Sequence, residues 1–94
     1  MSIPHPPEGQ WCCYLLRCRF GELYCGVSND LNFRLQRHWR GDGSKYVFGR
    51  KPFTLVWVEE HPDKSSALKR EAAIKKMTTK AKRALIEQHK KEAE

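Results

Sequence analysis

Two short, almost wholly apolar runs stand close together near the start of this 94-residue chain. Trp11-Cys12-Cys13-Tyr14-Leu15-Leu16-Arg17-Cys18 is the first, and Glu22-Leu23-Tyr24-Cys25-Gly26-Val27 follows it after Phe20-Gly21. Runs of this length joined by a Gly-containing turn predict an antiparallel hairpin. Neither run alternates apolar with polar residues, so both faces of the sheet must be covered. A hairpin buried on both faces belongs in an α/β layer structure. With 39% hydrophobic residues the chain can fill one core, not two.

The remainder supplies the covering layers. Ser28-Asn29-Asp30 offers capping side chains ahead of Leu31 to Arg40, which continues in helical period. Leu31, Leu35 and Trp39 recur every four residues and form the expected buried stripe, with Arg34 and His38 on a strip beside it. Gly41 to Ser44 ends that helix, and residues 44–53 read as a basic, aromatic connection. Thr54-Leu55-Val56-Trp57-Val58 is a third strand. Ser65-Ser66 can cap a helix over Ala67–Met77, and Thr78-Thr79 another from Lys80 to about His89. The predicted order is β-β-α-β-α-α. Residues 1–10 hold three of the five prolines and are expected as a disordered leader to a domain over 11–90, with 91–94 as a frayed tail.

Charge narrows the function classes. Lys and Arg number 18 against 11 Asp and Glu, a formal +7. The excess sits in two regions, Arg17 to Lys51 and Lys64 to Glu94, which side by side would face a polyanion. No run reaches the roughly 20 apolar residues that span a bilayer, and the opening residues lack a signal peptide's basic start and apolar run. Cys12, Cys13, Cys18 and Cys25 fall too close together for a disulfide scaffold and lack the Cys-x-x-Cys pairing of a structural zinc site. They read as small buried hydrophobes in a reducing cytoplasm. One anomaly lies in the second helix. Glu71 and Lys75 fall within the apolar arc of Ala67, Leu68, Ala72 and Ile74, where charge is costly unless paired or functional.

These residues are familiar as a set. Tyr14-Leu15-Leu16, then Tyr24-Cys25-Gly26 ten positions on, resembles the paired motif of the GIY-YIG nucleases. Arg34, His38 and Glu71 follow in that family's order and spacing, so the chain resembles a small single-domain bacterial member, related to the UvrC nuclease domain and to structure-specific branch nucleases. The resemblance implies a three-stranded antiparallel sheet flanked by helices. It also implies roles: Tyr14 and Tyr24 for the attacking water and the scissile phosphate, Arg34 for phosphate charge, His38 one turn on, and Glu71 as the carboxylate for Mg²⁺ or Mn²⁺. The pattern departs at Cys12, Cys13 and Cys25, and at Val27, where the family often has a basic residue.

The residue types suit that chemistry independently. Phosphodiester hydrolysis needs an activated water and stabilised phosphoryl oxygens, which phenols, an imidazole and a planar guanidinium can provide. The expected activity is a metal-dependent DNA endonuclease acting on branched, nicked or damaged DNA in repair or recombination. The alternative is a weak or inactive module that binds DNA or RNA. Binding would run through Arg37, Arg40, Lys45, Arg50, Lys75, Lys76, Lys80 and Lys82. Trp39, Tyr46 and Phe48 could instead dock a larger repair partner.

Overall fold

The computed structural model describes residues 3–93. The two apolar runs form β1 (Cys12–Arg17) and β2 (Leu23–Ser28), and β3 (Thr54–Glu60) pairs on the far side of β1. The sheet is antiparallel throughout, in the order β2-β1-β3. Helices α1 (Leu31–Arg40), α2 (Lys45–Phe48), α3 (Lys64–Lys75) and α4 (Thr79–Ala93) complete it. Among the described residues, no helix is long and apolar enough to cross a membrane.

Both faces of the hairpin are buried, as its unbroken apolar runs require. Cys12, Tyr14 and Leu16 pack with Leu31 of α1 and Val47 of α2. Cys13, Leu15 and Cys25 pack with Ile74 of α3 and Ile86 of α4. A bulge interrupts β3: Leu15 pairs with Trp57 but Leu16 pairs with Leu55, leaving Val56 over. Val56 and Trp57, though consecutive, therefore join the same cluster. All four cysteines are buried free thiols.

Local signals set the helix ends. Asp30 Oδ1 accepts from Phe33 N at 3.2 Å to cap α1, which stops at Gly41 in the left-handed region with φ +92°. The connection over 44–53 contains a helical turn, because Ser44 caps α2. Helix α3 begins earlier than Ser65-Ser66 suggests, since Asp63 Oδ1 takes the cap by accepting from Ser66 N at 2.8 Å. Thr78 Oγ1 accepts from Ala81 N at the start of α4, as expected. Glu59 ties β3 to α3, pairing with Arg70 Nε at 3.0 Å and His61 Nε2 at 2.9 Å.

The stripe on α1 differs from expectation. Leu31 and His38 are fully buried, whereas Trp39 is 51% exposed and lies against Phe53 and beneath Lys51. A four-residue repeat drifts about 40° per step on a helix of 3.6 residues per turn, whereas a seven-residue step returns to nearly the same line. The buried line thus joins Leu31 to His38. On α3, likewise, Ala67 and Ile74 face the sheet and Leu68 and Ala72 do not.

The leader expected as disorder makes several contacts. Gly9 N donates to Asn29 O, Gln10 Nε2 donates to His61 O, and Pro6 is buried. Ile74→Ala should lower the free energy of unfolding by about 2–4 kcal/mol. Leu68→Ala should stay below about 1 kcal/mol, and urea titration of both variants checks the assignment of faces.

Candidate active site

The sequence places a large polar ring, Tyr14, in the middle of the central strand, where it is wholly buried. Its neighbour across β2 is Gly26. A Cβ at Gly26 would stand 2.6 Å from Tyr14 Oη and 2.7 Å from Cζ, so only glycine leaves space for the ring. The buried hydroxyl needs a partner, and His38 Nε2 lies 3.0 Å away. His38 is held from its other side, where Ser44 N donates to Nδ1 at 3.2 Å. Gly43 makes that approach possible, since a Cβ there would stand 2.5 Å from Nδ1.

This chain of contacts fixes protons. An Nδ1 that accepts from a backbone N–H carries no hydrogen, so the neutral ring bears its hydrogen on Nε2 and donates it to the Tyr14 oxygen. The phenolic hydrogen of Tyr14 is then free for a third group. Burial, reinforced by Arg34 and Arg37, holds the His38 pKa down to about 4, so the ring is neutral near pH 7. Burial also pushes the Tyr14 hydroxyl well above its usual range. The neighbouring Tyr24 acts in the same direction, and the Arg34 guanidinium beside it pulls the other way.

Tyr24 and Arg34 complete the group. The half-buried Tyr24 ring stands edge-on to His38, centroids 5.6 Å apart. Arg34, one turn before His38, has its Nε buried without a hydrogen-bond partner. It makes no ion pair among the described residues, so the site holds a cationic donor with unused capacity.

Four of the five expected residues therefore meet in the α1 layer, and Glu71 does not join them there. Helix α3 covers β1 and the edge strand β2 from the other side, and the Glu71 charge acts on the Cys13 and Cys25 thiols. Glu71 faces the sheet between Ala67 and Ile74, with its side chain 20% exposed. Lys75 Nζ stands 3.6 Å from it on a mostly exposed side chain. The expected basic residues divide in the same way. Arg37, Arg40, Lys45 and Arg50 belong to the α1–α2 side, while Lys75, Lys76, Lys80 and Lys82 lie on or beside α3 and α4. Arg37 donates to Asp42 O, and Arg50 pairs with Glu22 at 3.0 Å.

Comparison with known proteins bears on this arrangement. A family model described as the GIY-YIG catalytic domain matches residues 10–84. The chain belongs to the GIY-YIG family. That family is one of endonucleases, which makes this a nuclease domain. Among curated relatives, a UPF0213 protein of Streptococcus sanguinis is 45% identical over 75 residues, covering 80% of this chain and 86% of the relative. A UPF0213 protein of Nitratidesulfovibrio vulgaris is 43% identical over 76 residues, 81% of this chain and 69% of its own. The solution NMR structure of a UPF0213 protein from Bacillus halodurans superimposes with a TM-score of 0.55 at 33% identity, covering 83% of each chain.

Sequence reading alone passed over Gly26, Gly43 and Ser44 as supports of the candidate site. A glycine inside a strand is a sign of close approach, and Gly26 carried that sign. The contacts of Gly43 and Ser44 depend on how the chain turns after α1 and leave no such mark. Gly26→Ala should displace the Tyr14 ring and lower the unfolding free energy by about 1–3 kcal/mol in thermal or urea melts. His38 makes stability pH-dependent. The unfolded ring binds a proton near pH 6.5 and the folded ring only near pH 4, so stability present above pH 6.5 is lost as pH falls towards 4. The loss should approach roughly 3 kcal/mol. His38→Gln should flatten the part between pH 6.5 and 5 in urea titrations at stepped pH.

Proposed function

We propose that this protein is a divalent-metal-dependent endonuclease. It hydrolyses phosphodiester bonds of branched, nicked or damaged DNA in repair or recombination, in the cytoplasm. The observation that carries the reading is the unpartnered Nε of Arg34 beside the Tyr14–His38 pair. A half-buried guanidinium with a spare Nε donor and, among the described residues, no carboxylate partner is suited to a phosphoryl oxygen.

The roles follow from burial. Tyr14, receiving a hydrogen from His38, directs its own hydroxyl hydrogen outward and stabilises charge on the phosphoryl group. Tyr24 is half-buried and meets solvent, so it orients the attacking water. Arg34 binds the phosphate in the transition state. His38 stays neutral and acts by positioning Tyr14.

Glu71 suits a hard cation. It is a single carboxylate, and the Lys75 ammonium stands 3.6 Å from it, a distance that leaves its oxygens available. Mg²⁺ keeps most of its waters and needs few protein ligands, so one carboxylate plus substrate phosphate suffices. When bound, Mg²⁺ or Mn²⁺ supplies Lewis-acid stabilisation to the phosphoryl oxygens. The alternative, a binding module with little or no turnover, draws on the Glu71–Lys75 pair and on the position of Glu71 in the other layer.

Flap, nicked and single-stranded DNAs incubated with Mg²⁺ or Mn²⁺ separate the two readings. The nuclease reading expects cleavage that EDTA abolishes. It also expects Arg34→Ala or Glu71→Ala to reduce the rate by about 100-fold or more. Metal-independent cleavage, or full activity in Glu71→Ala, rejects the metal role. Salt-sensitive binding without cleavage by the wild type supports the module.

A further inference from the structure

The β1–β2 turn and the segment after α1 carry aromatic rings that the core does not use. Phe20, at the tip of the turn, is 79% exposed, with the Arg19 guanidinium 5.2 Å from its centroid. Tyr46 on α2 is 41% exposed, and the Arg50 guanidinium carbon lies 3.7 Å from its centroid. The two groups are fastened together: Arg19 N donates to Arg50 O at 2.9 Å, and Glu22 on the hairpin pairs with Arg50 Nε at 3.0 Å. Tyr46 in turn stacks on Tyr24 at 6.1 Å and 27°, so the group reaches the edge of the candidate active site.

We propose that Phe20, Arg19, Tyr46 and Arg50 form a stacking surface for unpaired bases, and that the substrate class is DNA with a single-stranded segment entering the site. The surface binds the strand by itself; only the fate of that strand rests on the nuclease reading. Exposed rings interleaved with planar cations match the chemistry of a single strand, which offers flat π faces and a phosphate at every step. A continuous duplex hides its base faces within its own stack. A protein interface centres on rings from which charge is depleted, and here each ring carries a guanidinium. The positive charge of the chain supplies the complementarity.

Fluorescence anisotropy in EDTA, which prevents turnover, tests this with a labelled oligonucleotide of about 15 nucleotides and its blunt duplex. The wild type should bind the single strand at least about fivefold more tightly. Tyr46→Ala and Phe20→Ala should each lower single-strand affinity about tenfold and leave duplex affinity and the salt dependence nearly unchanged, because neither removes a cation. Tyr46→Phe, which keeps the ring, should bind as the wild type. Equal binding of duplex and single strand overturns the proposal, as do losses shared equally between them or no loss in either alanine variant. If circular dichroism shows that Tyr46→Ala is unfolded, Phe20→Ala decides, since its ring touches none of the site residues. Single-strand preference with no cleavage in Mg²⁺ or Mn²⁺ would refute the nuclease reading and leave the stacking surface standing. Cleavage without that preference would do the reverse.

Discussion

The hydrogen-bonded run from Ser44 N through His38 to Tyr14 is the contact on which the α1 layer is organised. It places two polar rings in a layer otherwise built from Cys12, Leu16, Leu31 and Val47. Polar groups survive there because each is satisfied in turn by the next. Two glycines give the rings their space, Gly26 beneath Tyr14 and Gly43 beside His38. The same run holds a phenol in one orientation without any charged group, so the electrostatics of the site are left to Arg34. Geometry and charge are thereby assigned to different residues.

The two sides of the sheet divide the labour further. One side gathers Tyr14, Tyr24, Arg34 and His38, with Tyr46 stacked on Tyr24. The other is a core of aliphatic side chains, thiols and Trp57 closed by Ile74 and Ile86, with Glu71 facing it. On the tyrosine side, burial pushes the Cys12 thiol up to about 11, which keeps it an unreactive packing group. A nucleic acid meeting both Arg34 and Glu71 would have to approach over β2, the strand both layers share as an edge.

Much of this was legible in the sequence, for identifiable reasons. The apolar runs at Trp11 and Leu23 encode a strand pair covered on both faces, and the spacing of Tyr14, Tyr24, Arg34, His38 and Glu71 encodes the family. Asp30 and Thr78 are local caps readable from neighbours alone. What escaped depends on tertiary packing. Trp39 has the hydrophobicity of a core residue, yet the seven-residue line through Leu31 carries His38 inward because Tyr14 waits there. The short α2 turn follows from a cap by Ser44, whose backbone also serves His38, a double duty that no local pattern announces.

The bulge at Val56 has an effect beyond twisting a strand. Side chains on either side of it run out of phase, so Leu55 and Val58 share one layer although they are three residues apart. An uninterrupted alternation starting from Leu55 would aim Glu59 at the tyrosine layer, away from α3. The extra residue turns it instead towards Arg70 and His61 on the opposite side. A single surplus residue in a strand thus decides which face of the sheet receives the carboxylate that fastens β3 to α3.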